Sequence, residues 1–101
     1  MCAFINNLLR IYRVTGDSML PVLCDGQYVL ASSAIKPKVD KLVVLDHPAY
    51  GVMVKRVTQL NDKHLLLCGE NEQSLSSEQI GWLDIVMVKG VVVRKVRHKR
   101  I

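Results

Sequence analysis

The chain has 101 residues, half of them hydrophobic, with a formal net charge of +5 at pH 7. This length corresponds to one domain over residues 1–101 with a modest core of its own. No apolar run reaches the roughly 18–20 residues that a membrane-spanning helix needs. We therefore expect no membrane span. The apolar start of the sequence has no basic residue ahead of it and no small-residue cleavage site, so we expect no secretory leader either.

Period-two alternation and β-branched runs dominate the sequence and predict a mostly-β domain. Residues 1–13 form an N-terminal lead-in, in which we predict the only helix, Ala3–Arg10. The predicted strands are Tyr28–Ala31, Leu42–Asp46, Val52–Val57, His64–Cys68 and Ile85–Val96, with Asn61-Asp62 as a hairpin turn and a further turn at Ser74–Gln79. The pattern therefore predicts a single strand-rich domain with little helix.

The excess positive charge is confined to a basic tail, residues 94–101. This tail holds five Lys or Arg and no acidic residue, whereas the rest of the chain has nine of each sign. A neutral body with a basic end differs from the distributed basic face of nucleic-acid-binding domains. The charge distribution therefore does not predict nucleic acid as a partner of the domain. We interpret the tail as solvated, with recruitment of an acidic partner or nucleic acid as the alternative.

The three cysteines, Cys2, Cys24 and Cys68, are far apart in the sequence. An odd count without a close pair is typical of reduced thiols and indicates a cytoplasmic protein. The three histidines are scattered without the spacing of zinc ligands. We expect no metal and no organic cofactor.

Two segments carry the residues of a possible catalytic pair. Ser18 lies in the Gly-led turn GDSMLP (residues 16–21), and Lys55 lies in the apolar run GVMVKRV (residues 51–57). A lysine can act as a general base for a serine only when it is neutral, and its free pKa is about 10.4. Burial among apolar side chains lowers that pKa. The sequence therefore predicts Ser18 as nucleophile and Lys55 as general base.

These segments resemble the signal peptidase I and LexA-like serine–lysine peptidase superfamily. Its first box matches residues 16–21 and the Gly-led strand from Gly26, and its second matches Val54-Lys55-Arg56-Val57. Its third box corresponds to GENEQSLSSEQIGWL (residues 69–83), before a closing strand, Val86–Val93. The resemblance implies a coiled sheet with the active site along one edge. It also implies Ser74 as the residue that orients the lysine, with Ser76 or Ser77 as alternatives.

The third box departs from the superfamily pattern. Glu70 replaces the usual aspartate, and Ser76 and Glu78 stand where an Asp and an Arg would pair. Gly16 occupies the position where a hydroxyl can help to form the oxyanion hole. The resemblance therefore implies an oxyanion hole that depends mainly on the backbone N–H of Ser18, and loss of one donor costs about a hundredfold or more in rate.

We interpret the chain as a serine endopeptidase that cleaves a signal- or propeptide-like segment of a protein or peptide substrate in trans. The phrase LVVLDHPAYGVMVKRV (residues 42–57) resembles the nickel-type superoxide dismutase maturation proteases. One alternative is a LexA-type self-cleaving regulator, although no Ala-Gly or Cys-Gly pair precedes Ser18. The other is a non-catalytic protein-binding module that keeps the fold. The oligomeric state is open, with a homodimer as one option.

Overall fold

A computed structural model describes residues 8–15, 19–20, 22–49, 51–68 and 81–96, together with the backbone of residues 2–4. Eight strands account for most of these residues. They are β1 (Cys2–Phe4), β2 (Leu9–Arg13), β3 (Tyr28–Ser32), β4 (Leu42–His47), β5 (Gly51–Leu60), β6 (His64–Cys68), β7 (Trp82–Asp84) and β8 (Val88–Val96). A single 3₁₀ turn, Ile85–Met87, is the one helical element of the described residues.

The strands form one antiparallel sheet in the order β1-β2-β3-β8-β4-β5-β6-β7. The C-terminal strand β8 thus lies between β3 and β4 and joins the two halves of the sheet. This arrangement confirms the predicted mostly-β domain. It also places β5, which carries Lys55, inside the sheet between β4 and β6.

Side-chain alternation in the strands produces two buried clusters. In β6, for example, Leu65 and Leu67 are buried while His64 is exposed, as expected when successive side chains point to opposite faces. The first cluster comprises Tyr12, Val14, Met19, Leu23, Val29, Ala31, Val44 and Val54. The second comprises Val43, Leu45, Val57, Leu65, Leu67, Leu83 and Val91. Strands β4 and β5 contribute to both clusters and are therefore held from both sides.

The predicted hairpin at Asn61-Asp62 is confirmed. The Asn61 side-chain oxygen accepts hydrogen bonds from the backbone N–H groups of Lys63 at 2.9 Å and His64 at 2.8 Å. The Asn61 N–H donates to the His64 carbonyl at 3.0 Å. An asparagine that bonds the backbone two and three residues further on is a common way to close a turn, and here it joins β5 to β6.

The predicted helix Ala3–Arg10 is wrong. The backbone forms β1 and β2 instead, paired from Cys2 opposite Tyr12 to Phe4 opposite Arg10. Strand β2 also pairs with β3 along its whole length, so sheet hydrogen bonds outweigh the weak local preference for helix. The signal that was missed is the Asn6-Asn7 pair between the two apolar runs, because asparagine favours turns.

The start of the last predicted strand is also wrong. Residues Ile85–Met87 form the 3₁₀ turn, and β8 begins only at Val88. The Asp84 carboxylate accepts a hydrogen bond from the Val86 N–H at 3.1 Å, which caps the turn and overrides the strand preference of Ile and Val. Strand β7 was not predicted. The predicted turn at Ser74–Gln79 lies outside the described residues.

Candidate active site

Lys55 is buried in the middle of the sheet, with only 2 % of its surface exposed. Its cross-strand partner on β4 is Val43, which is fully buried. Val54 and Val57 on its own strand are buried as well. A lysine is almost never buried this completely unless a specific environment receives it. Lys55 and Ser32 are the two polar side chains among the buried residues that the structure describes.

Burial lowers the pKa of Lys55 below its ordinary value, because an apolar setting disfavours the charged ammonium form. A smaller opposing effect comes from Cys68, whose thiolate would attract the ammonium and raise the pKa. Cys68 is half-buried at the end of β6, where it pairs with Arg56, the residue after Lys55. The net result is a lysine that gives up its proton more readily than a lysine in water.

Arg56 occupies a different environment from its neighbour. Its guanidinium Nη1 donates a 2.7 Å hydrogen bond to the Asp40 carbonyl oxygen, and the side chain is half-buried. Because side chains alternate along a strand, Arg56 is directed away from the face that Lys55 shares with Val57. Of these two neighbouring cations, Lys55 is the one that lies within the core.

The segment predicted to carry the nucleophile spans residues 14–27, and we call it the nucleophile loop after that prediction. Its ends are joined by two backbone hydrogen bonds, from the Val14 N–H to the Gln27 carbonyl at 2.7 Å and from the Gly26 N–H to the Val14 carbonyl at 2.8 Å. Gly26 has a φ of 85°, a left-handed conformation that favours glycine. The Gly26 of the first box therefore has a conformational role in closing this loop.

Two buried side chains anchor the nucleophile loop. Met19 is 1 % exposed and Leu23 is fully buried, and the Leu23 N–H donates to the Met19 carbonyl at 2.8 Å. Both belong to the cluster that contains Val54, the residue before Lys55. The residue after Ser18 and the residue before Lys55 are thus held in one hydrophobic cluster. Met19 therefore has a structural role in holding this loop against the core.

Several predicted site residues lie outside the described residues. These are Ser18 itself, Gly16 at the oxyanion position, and the third-box residues Glu70, Ser74, Ser76, Ser77 and Glu78. The pairing of Ser18 with Lys55 and the lysine-orienting role of Ser74 therefore stay predictions. The residue that sequence reasoning missed is Cys68. Its proximity to Lys55 depends on the register between β5 and β6, and no sequence motif signals that register.

Two other properties of the described residues bear on the site. None of their helical segments is long and apolar enough to cross a membrane. Within the same residues, no three His, Cys, Asp or Glu side chains come together in a way that could hold a metal ion.

Comparison with known protein families identifies this chain's relationship to one of them. The family model described as Peptidase S24-like matches residues 3–93. That range includes the nucleophile loop, strand β5 and the third box. No curated protein matches the chain.

Proposed function

The chain belongs to the Peptidase S24-like family, within the LexA- and signal-peptidase-like superfamily, and on this premise we propose that it is a serine endopeptidase with Ser18 as nucleophile and Lys55 as general base. The observation that carries the proposal is the burial of Lys55 with a lowered pKa. Strongly perturbed ionisable groups cluster at functional sites. A buried lysine also destabilises a fold, and a group that costs stability in this way is typical of a functional site.

The proposed reaction has two halves. In the first, neutral Lys55 Nζ takes the proton of Ser18 Oγ as that oxygen attacks the scissile carbonyl carbon. The resulting ammonium then protonates the leaving amine nitrogen, and the acyl group stays on Ser18. In the second, Lys55 takes a proton from a water molecule that attacks the acyl carbon, and returns it to Ser18 Oγ. The backbone N–H of Ser18 stabilises the oxyanion, and Ser74 orients the lysine.

We propose that the substrate is a separate protein, cleaved within a signal- or propeptide-like segment. In the described lead-in, residues 2–4 and 9–13 pair as β1 and β2 within the sheet. These residues lie in the part of the sheet next to β3. Lys55 lies on β5, which β8 and β4 separate from β3. A segment held in this way does not supply an extended scissile strand, which favours cleavage in trans over self-cleavage.

The proposals for the type of cleaved segment and for the cellular location rest mainly on the sequence. The resemblance of residues 42–57 to nickel-type superoxide dismutase maturation proteases supports removal of a short propeptide, with the apolar residues of both boxes favouring a small residue before the scissile bond. The odd number of cysteines without a close pair in the sequence, with Cys24 exposed and outside any disulfide, supports a cytoplasmic location.

A non-catalytic protein-binding module is the second candidate function, and a specific observation favours it. The third box carries Glu70, Ser76 and Glu78 in place of the residues typical of the superfamily. If that box no longer supports the lysine, the family fold would survive as a binding surface. The two candidates differ in one chemical property, which is the reactivity of Ser18.

Treatment of the purified protein with a fluorophosphonate probe tests this property. We expect covalent labelling at Ser18, located by peptide mass spectrometry, because only an activated serine attacks the probe at a useful rate. Ser18→Ala should remove the label, whereas Ser33→Ala, a change at an exposed serine, should leave it unchanged. A folded protein that takes no label at Ser18 would be a binding module.

The same sample tests cleavage in trans. Incubated alone, the protein should keep its mass. A cut that depends on Ser18 and proceeds at a rate independent of protein concentration would identify a self-cleaving regulator instead.

A further inference from the structure

Strand β8 extends beyond its partner β4. The two strands pair at three positions, Val43 with Val91, Val44 with Gly90 and Leu45 with Val88. On its other side, β8 stays paired with β3 as far as Val96 opposite Tyr28. Within the described residues, β8 beyond Val91 is therefore paired along one edge only. An open edge of this kind can accept an additional strand.

A groove of about 270 Å³ lies beside this open edge. Its walls are formed by β8 and by the segment between β3 and β4, which we call the lysine loop (residues 33–41). The lining residues are Ile35, Lys36, Lys38, Lys41, Val91, Val92 and Val93. Valine and isoleucine thus form an apolar surface edged by three lysines, and no acidic side chain lines the groove.

The side chains that face this groove are accessible to a partner. Ile35 and Val93 are each 45 % exposed, and all three lysines are exposed. Asp40 also belongs to the lysine loop but does not line the groove. Exposed aliphatic side chains surrounded by positive charges are unfavourable in solvent. A partner with apolar and negatively charged residues would cover them favourably.

The lysine loop is fixed at both ends, which holds its lysines around the groove. At its start, the Ser33 N–H donates to the Leu8 carbonyl at 2.8 Å. At its end, the Asp40 N–H donates to the Val57 carbonyl at 2.8 Å and the Val57 N–H donates to the Lys41 carbonyl at 3.0 Å. A binding surface that is already ordered loses less conformational entropy when a ligand arrives.

We propose that this groove binds an extended acidic segment of a partner protein, which adds as a strand to the open edge of β8. Side chains of a bound strand alternate between two directions. Aliphatic residues of the partner would pack on Val93 and Ile35, and the intervening Asp or Glu residues would meet Lys36, Lys38 and Lys41. Charge complementarity identifies the partner chemistry. The site needs neither Ser18 nor Lys55, so the inference goes beyond the proposed peptidase activity.

Fluorescence anisotropy with a labelled octapeptide of alternating Glu and Val tests this proposal. We expect saturable binding that weakens as salt is raised, because exposed charges are screened over roughly 8–10 Å at ordinary ionic strength. Replacing all Glu by Gln, or all Val by Ser, should each weaken binding by about tenfold or more. These peptide changes need no protein variant, so they test the groove in the native fold.

Matched protein variants locate the site. Lys38→Glu should weaken binding by about tenfold, whereas Lys63→Glu, an equal charge change at the exposed β5–β6 turn, should alter it by less than about twofold. Val93→Ser should weaken binding by about threefold or more, with Val86→Ser as the control at a valine that is 77 % exposed. Amides among residues 92–96 should become protected from hydrogen exchange in the complex.

Three results would overturn the proposal. One is equal weakening by Lys38→Glu and Lys63→Glu, which would mean attraction by net charge alone. Another is failure of the Glu/Val peptide as the preferred ligand, shown by absence of saturable binding or by tighter binding to a single-stranded oligonucleotide. The third is a dimer, detected by sedimentation, that Lys38→Glu and Val93→Ser dissociate, which would assign this edge to a second copy of the chain.

Discussion

Substitution Lys55→Arg is expected to lower the rate of Ser18 labelling at least about a thousandfold, with Ser18→Ala equally inactive. Arginine keeps the positive charge, but its guanidinium does not lose a proton in proteins and therefore cannot serve as a base. The measurement is the labelling rate of the purified variants under identical conditions.

The matched control is Lys63→Arg, the same change at an exposed lysine of the β5–β6 turn. It should label at the wild-type rate. Because an arginine buried beside Val43 and Val57 could disturb the fold, Lys55→Met provides a second inactive variant with an apolar side chain of similar length. Labelling of Ser18 near the wild-type rate in Lys55→Met would contradict the assignment of Lys55 as the base.

Lys55→Met should also stabilise the fold. At pH 7 we expect the free energy of unfolding to rise by about 0.5–2 kcal/mol. For a domain of this size, each kcal/mol raises Tm by about 4–8 °C. The reason is that the wild-type core disfavours an ammonium group, whereas methionine packs among apolar side chains with no charge to desolvate. Denaturant unfolding followed by circular dichroism measures the difference, and Lys63→Met at an exposed site should stay within about 0.5 kcal/mol of wild type.

The pH dependence of this stabilisation has a definite sign. In the unfolded chain Lys55 titrates near its free pKa of about 10.4, and in the folded protein it titrates lower. Between those two pKa values the unfolded state binds more protons, so wild-type stability from this group rises with pH. The advantage of Lys55→Met should therefore be largest below the folded pKa and should shrink as the pH approaches about 10.4. A variant less stable than wild type at pH 7, or an advantage that does not change with pH, would contradict the account.

The strands predicted correctly are those whose local pattern agrees with their partners. In β6 the alternation of exposed and buried residues, the flanking asparagine turn and the pairing with β5 all favour the same structure. Ala3–Arg10 failed because its apolar residues fit either a short helix or paired strands. Pairing with β3, which begins at Tyr28, decided between them. A local pattern contains no information about such a distant partner.

The sequence predicted part of the candidate site, as it predicted part of the fold. The box around Ser18 and the apolar run around Lys55 identified the two segments, and the structure places their neighbours Met19 and Val54 in one buried cluster. Alternation within β5 alone does not tell which face of the sheet Lys55 occupies, because apolar residues occur on both faces: Val52 and Val54 on one, Met53 and Val57 on the other. The burial of Lys55 follows from the pairing with Val43 on β4, and the influence of Cys68 follows from the register of β6.

The most direct test of the central claim compares two titrations of the wild-type protein. One follows the ¹³Cε resonance of Lys55 by NMR as the pH is raised, with Lys63 as an exposed reference. The other follows the rate of fluorophosphonate labelling at Ser18 over the same range. We predict that Lys55 loses its proton at a lower pH than Lys63, because burial lowers its pKa, and that the labelling rate rises with the same midpoint. A labelling rate that does not follow the Lys55 titration, or a Lys55 that titrates together with Lys63, would contradict a neutral lysine acting as the base.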